Sequence, residues 1–299
     1  MALGLYYLGG DAGQVCNAGG PLALDKVILR DGSLLAPRFP APLGMRGLTM
    51  MRVLAALMGL VSVAGGKGPA AHSAYVISLM RGSFTGEDGQ PKPFLLADGI
   101  GVGYGARPYA DGIDAVYFVA QENYPVEFLE LGYPVRLTRY GIVEDSGGPG
   151  TYRGGCGIVR EYEILADEAV LAVRIDSVKN PPWGIAGGMS GGSGRAIVNP
   201  GTARERLLAP LSDGNQLERG DILRIETGGG GGHGHPFDRS AEAVLEDVLG
   251  GFVSETSAQR HYGVVIRDDA VDAAATRELR QERPPVRAYH RKEYVDAVL

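Results

Sequence analysis

The 299 residues carry 29 Lys and Arg against 35 Asp and Glu, a net charge of −6 with neither sign gathered in blocks, which argues against a nucleic-acid or anionic-membrane partner. Two cysteines, Cys16 and Cys156, stand far apart without CxxC spacing, so a reduced, cytoplasmic setting is expected rather than a disulfide framework. The 47 glycines are more than twice the usual share of about 7%, and because they lie between apolar segments they read as ordered turns rather than low-complexity disorder.

The opening Met1-Ala-Leu-Gly-Leu-Tyr-Tyr7 lacks the basic start and apolar core of a signal peptide. Val27 to Leu29 reads as a short strand closed by the turn Asp31-Gly32, and the proline-rich stretch Ala36 to Pro42 as extended chain. Leu48, Met51, Ala55 and Met58 recur at helical spacing, with Leu54, Leu57 and Val61 widening the stripe, and predict the main buried helix from about Leu48 to Ala64. Its most apolar run, Val53 to Ala64, is too short to span a bilayer, which takes about 20 residues.

Beyond Gly65 the period changes. Tyr75–Met80, Phe94–Ala97, Ala115–Ala120, Tyr133–Tyr140, Ile158–Leu165, Val170–Ile175, Ala196–Asn199 and Ile222–Glu226 are short, β-branched or aromatic runs between turn residues. Such a series predicts an α+β protein whose β-rich core is a sandwich or barrel, not parallel βαβ units. Three helices follow: one capped by Ser240 and ending at Gly250-Gly251, one from Ser254 to Gly263, and an alanine-rich one over about Asp269–Gln281. Residues 1–283 read as one domain and 284–299 as a charged, loose tail.

The most informative stretch is Asp145-Ser-Gly-Gly-Pro-Gly-Thr-Tyr-Arg-Gly-Gly-Cys-Gly157, in which glycines yield abruptly to an alternating strand. Two blocks share its character, Pro181-Pro-Trp-Gly-Ile-Ala-Gly-Gly188 and Glu226-Thr-Gly-Gly-Gly-Gly-Gly-His-Gly-His-Pro236. With Asp31-Gly-Ser-Leu-Leu-Ala-Pro-Arg-Phe-Pro-Ala-Pro42, Gly105-Ala-Arg-Pro-Tyr-Ala-Asp-Gly112 and Asn123-Tyr-Pro-Val-Glu127 ahead of them, and Gly250-Gly-Phe-Val-Ser254 leading to Tyr262-Gly-Val-Val-Ile266 behind, the chain resembles the C-terminal half of hydantoinase B/oxoprolinase B-type chains from about residue 14 to 283. That resemblance implies a B-type subunit or fragment of an ATP-dependent amide-ring hydrolase of the hydantoinase or 5-oxoprolinase kind. An A-type partner would bind ATP and Mg and phosphorylate the substrate, and an upstream half of the B-type chain would carry any metal ligands. No cofactor is then expected on this chain. The alternatives are a subunit of a related ATP-dependent ketone carboxylase and a non-catalytic scaffold module. Hydantoins, 5-oxoproline, lactams and ketones are all substrates of similar proteins.

Each candidate site residue also has a structural reading. Gly228, Gly229, Gly230, Gly231 and Gly232 offer consecutive unhindered N–H groups that form a substrate or phosphate loop in one reading and a close-packing turn in the other, which is favoured. A side chain at Gly230 is expected to abolish activity while leaving the fold intact. His233 and His235, two apart, would point to one side of an extended chain and permit metal ligation, yet they stand where the family commonly has Gly-Tyr-Gly-Asp-Pro, so no metal site is assigned. Arg153, Arg160 and Arg174 suit bidentate capture of a carboxylate or phosphate, against ion pairing with Glu161, Glu163 or Asp176 on neighbouring strands. Asp176 is followed by serine where the family usually has arginine. Cys156 and Ser146 lack an evident base, Trp183 reads as a core anchor, and His72, His261 and His290 have no fellow metal ligand at useful spacing.

Overall fold

The computed structural model describes residues 28–42, 44, 46–65, 67–74, 76–117 and 123–285, together with the backbone of Tyr289 and His290. Strand-forming runs build two antiparallel sheets. The first has the order β2 (Pro91–Ile100), β1 (Val76–Thr85), β5 (Glu168–Arg174), β9 (Leu211–Glu218). The second has the order β3 (Val135–Ile142), β4 (Ile158–Ile164), β10 (Ile222–Glu226), β7 (Arg195–Val198), β8 (Arg206–Leu207). β5 alternates as a half-buried strand should, with Ala169, Leu171 and Val173 inward and Val170, Ala172 and Arg174 half-buried. Met80, Leu96, Ile100, Leu171 and Leu217 of one sheet share a single core with Ile158, Tyr162, Ile164, Leu223 and Ile225 of the other. The result is a sandwich; of the two architectures expected, the closed barrel is not formed.

A charge lies inside this core. Arg160 of β4 and Asp98 of β2 are both 0% exposed, and one guanidinium nitrogen, Nη1, reaches both carboxylate oxygens at 3.0 and 2.8 Å. Tyr162 donates its hydroxyl to the same carboxylate, and the guanidinium lies over the Tyr140 ring, 5.1 Å from its centroid. The pair ties the two sheets together across the layer.

Helices precede, interrupt and follow the strands, and Leu129 of one of them joins the sandwich core. α1 (Arg46–Val63) precedes them, and α2 (Val126–Gly132) leads into β3. α3 (Ala241–Leu249), α4 (Glu255–Tyr262) and α5 (Ala273–Gln281) form a C-terminal layer with its own core of Val244, Val253, Ala258, Tyr262 and Val264. The expected caps are in place: the hydroxyls of Ser240 and Ser254 accept from Ala243 N and Ser257 N, and Gly263 closes α4 in the left-handed region.

Several expectations change. α1 is only partly buried: Met51, Ala55, Met58, Gly59 and Val61 pack inward, while Met50, Ala56, Leu57, Leu60 and Val63 are exposed. Although its most apolar run was too short, the whole 18-residue helix is long and apolar enough to cross a membrane by length and composition. Ile28 and Leu29 form no strand, and Val116 makes only an isolated bridge to Val102, residues 118–120 of that expected strand lying outside the described residues. α5 starts at Ala273, not Asp269, because Asp268 and Asp269 take left-handed backbone between the two-residue strands β11 (Ile266–Arg267) and β12 (Ala270–Val271). The polar run Leu211–Glu218 is a strand despite its Asp and Gly, since pairing to β5 overrides local preference. In the tail, β13 (Tyr289–His290) pairs with β6 (Gly184–Ile185). Cys16 lies outside the described residues.

Candidate functional site

Four glycine-rich segments meet at one end of the sandwich. Gly103 N donates to Gly228 O, Gly155 N to Tyr104 O, Gly148 N to Gly230 O and Ile185 N to Gly232 O, at 2.8 to 3.0 Å. The five-glycine run sits in the middle. Gly229, Gly230, Gly231 and Gly232 donate their N–H groups to Gly192, Gly155, Ala71 and Met189 carbonyls at 3.1, 2.8, 2.8 and 2.8 Å. The reason for glycine is steric: a Cβ at Gly230 would overlap the Tyr104 carbonyl, and one at Gly154 would overlap the Gly230 carbonyl. With these N–H groups engaged, the run is arranged for close backbone packing, and a phosphate held there would have to break native hydrogen bonds. The same geometry corrects the expectation for Gly230: a side chain there strikes the junction of several buried segments, so the fold itself is at risk.

Arg153 projects from this hub into an ion-pair network. Its Nη1 lies 3.0 Å from Asp114 Oδ1 and 2.8 Å from Gly154 O, its Nε lies 3.2 Å from Asp247 Oδ1, and its guanidinium covers the Phe252 ring. Arg239 completes the network, bonding both Asp111 oxygens at 2.7 Å and Asp247 Oδ2 at 2.9 Å. Burial raises the Asp247 carboxyl above its ordinary range despite both arginines. Two arginines and three aspartates thus clamp the glycine hub to α3, with a cleft of about 430 Å³ opening over Asp111, Tyr152 and Arg239.

Ion pairing, the bland reading of the arginines, has the right kind of interaction with other partners. Arg153 takes Asp114 and Asp247, Arg160 takes Asp98, and Arg174 takes Asp213 at 2.7 Å, whereas Glu161, Glu163 and Asp176 pair with Arg224, Arg136 and Arg52. Strand neighbours were a poor guide because the two most buried arginines reach across layers.

The histidine pair is structural in geometry. Gly234 between them is left-handed, with φ of +75°, so two-residue alternation does not hold. His235 Nδ1 accepts from Phe237 N at 3.0 Å, which leaves the ring proton on Nε2, 3.0 Å from the Pro284 carbonyl. His233 pairs through its backbone with Tyr152, and burial pushes its imidazole below the ordinary range. Ser146 donates to Val143 O and accepts from Gly157 N, while burial pushes the Cys156 thiol up, away from thiolate chemistry. Trp183 is half-buried, and its carbonyl accepts from Ala71 N. Among the described residues no three His, Cys, Asp or Glu side chains gather as a metal site.

Asp176 belongs to a second cluster that spacing alone missed. Its Oδ2 is 3.1 Å from Arg52 Nε of α1, and Arg52 also donates to the His72 carbonyl at 2.9 Å and to Ser177 Oγ at 3.2 Å. His72 is held beside them because flanking Ala71 and Ser73 donate to Trp183 and Gly103 carbonyls of the hub. Its ring lies 5.2 Å from that of Tyr104, and its Nε2 is buried without a hydrogen-bond partner. Burial first, and the Arg52 charge second, lower His72 to about 4, so it is a neutral imidazole at pH 7. A neutral imidazole, a guanidinium and a carboxylate thus meet at the edge of the hub. Asp111, Asp114, Arg239 and Asp247 were also missed; Asp111-Gly-Ile-Asp114, directly after the Gly105 motif, was the available signal.

A family model described as hydantoinase B/oxoprolinase matches residues 11–236. A putative D-/L-hydantoinase B-type subunit from Pseudomonas sp. (strain NS671) is 33% identical over 267 residues, 86% of this chain and 43% of that protein. The ATP-dependent caprolactamase from Pseudomonas jessenii superposes with a TM-score of 0.57 at 26% identity, covering 71% of this chain and 38% of that one. Nucleotide-free acetone carboxylase also gives 0.57, at 22% identity and 78% and 36% coverage, a likeness of fold alone. The chain spans less than half the length of each.

Proposed function

The chain belongs to the hydantoinase B/oxoprolinase family, and from that premise we propose that it works as part of the B-type subunit of a cytoplasmic, ATP-dependent amide-ring hydrolase. The observation that carries this reading is the 33% identity to a hydantoinase B-type subunit across 86% of the chain. ATP and Mg belong, in this reading, to an A-type partner. The engaged N–H groups of Gly229 to Gly232 support that division of labour, since the one run suited to cradling phosphate already serves as packing.

On this chain the hub and the Arg153 network are scaffold, holding the Arg52–His72–Asp176 cluster in place. Neutral His72 brings an unpaired buried ring nitrogen to the cluster, and the opposite charges of Arg52 and Asp176 leave it without net charge, which suits a neutral cyclic amide. Ketone carboxylation is the second reading, because acetone carboxylase shares the fold at the same TM-score as the caprolactamase.

Reconstitution with an A-type subunit and the remainder of a B-type chain, followed by phosphate release, tests the assignment. We expect ATP turnover to rise with a hydantoin, 5-oxoproline or a lactam. Turnover that responds only to acetone with bicarbonate would move the chain to the carboxylases. The chain alone should bind no Mg-ATP by calorimetry, and micromolar binding would overturn the division of labour.

A further inference from the structure

α1 presents an apolar face to solvent that its own fold does not explain. Met50, half-buried Val53, Ala56, Leu57, Leu60 and Val63 fall on one side of the helix at 100° per residue, below Arg46 and Thr49 at its start and opposite the buried Met51, Ala55 and Met58. Leu60 and Val63 are 63% and 68% exposed. A surface helix of a self-contained domain carries polar residues there, whereas α1 has no acidic residue and only Arg46 and Arg52 for charge. Arg52 is spent inward on Asp176 and His72, and the chain at Gly68 packs so close to Met58 and Ser62 that a Cβ there would overlap them. The helix is therefore pinned by one side with the other held outward.

We propose that this face is the docking surface for the rest of the B-type polypeptide, the portion of the Pseudomonas hydantoinase chain that this chain does not span. The inference rests on the B-type reading above. Two observations favour that occupant. The relatives are more than twice as long as the segment they share with this chain, so each keeps a large body of chain available to cover it. A face that is apolar over its last three turns, with charge only at Arg46 where it begins, fits a permanent interface, which resembles a core cut in half, better than a transient polar one. Because Arg52 leaves the same helix toward Asp176 and His72, a partner seated on α1 also steadies the polar cluster.

The test is co-expression of the full chain with the unspanned portion of the Pseudomonas sp. protein, followed by affinity capture and sedimentation. The wild-type chain should form a one-to-one complex, and Leu57→Lys with Leu60→Lys should weaken capture at least 10-fold while leaving the thermal melt of the chain unchanged. Leu60→Lys alone, with a smaller loss, guards against misfolding of the double variant. Capture that the double variant retains overturns the α1 surface and leaves the B-type reading standing; capture by neither chain removes both. A wild-type homodimer that the lysines dissolve would show a second copy to be the occupant, and flotation with phosphatidylglycerol vesicles a membrane; either overturns the proposal.

Discussion

The sandwich and the glycine hub are adjoining regions built on opposite principles. In the sandwich, side chains such as Leu171, Leu223 and Tyr162 fill the space between sheets, and the backbone stays with its strand neighbours. In the hub there are almost no side chains to bury. Segments around Gly103, Gly154, Gly191 and Gly230 touch backbone to backbone and are held by hydrogen bonds between residues far apart in sequence. Each such bond contributes only about 1 kcal/mol net, so the hub depends on many being made together, while leaving any one buried N–H unpaired costs about 1 to 3 kcal/mol. A sandwich position tolerates truncation at the cost of a cavity. Most hub glycines leave no room for a Cβ.

The sharpest break of that comparison is Gly230→Val against Leu171→Ala. The core truncation should cost about 2 to 5 kcal/mol and leave a folded protein. The hub addition should cost more than about 4 kcal/mol, because the Tyr104 carbonyl cannot retreat without breaking the Gly155 bond to it. Urea denaturation of both variants decides; a Gly230→Val chain as stable as the wild type would reduce the hub to an ordinary surface loop.

The ionic clamp offers the next largest effect. Asp247→Ala strips a shared carboxylate from Arg153 and Arg239 and should destabilise by about 3 to 5 kcal/mol, as buried charges do when left unpaired. If Arg153 instead served substrate directly, Asp247→Ala would leave the melt nearly intact while activity fell in the reconstituted complex.

The smallest effect is pH-dependent and reports on the second cluster. His72 ordinarily titrates at 6.5 and is lowered in the fold to about 4, so between those values the unfolded chain binds a proton the folded one refuses. Stability is then fully present above pH 6.5 and falls as pH drops toward 4, by about 2 to 3 kcal/mol at pH 4.5. Denaturant midpoints at pH 7.0 and 4.5 should differ less in His72→Gln than in the wild type; equal differences would mean that His72 is not the buried neutral group.

Hydrophobic alternation identified most of the sandwich and helical spacing located α1, because both patterns follow from local backbone geometry. The caps at Ser240, Ser254 and Gly263 were legible for the same reason. Glycine-rich blocks revealed the family and the places where backbone would come close. What they came close to was decided by the tertiary structure: an N–H at Gly230 looks equally ready for phosphate or for the Gly155 carbonyl until the chain has closed. Charge partners were equally hidden, since Arg52, His72 and Asp176 meet across about half of the described chain and Arg153 finds Asp247 in the C-terminal helical layer. Local periodicity and steric allowance are written residue by residue, whereas ion pairs and hydrogen-bond partners depend on distances that exist only after the sheets, the hub and the helices have packed.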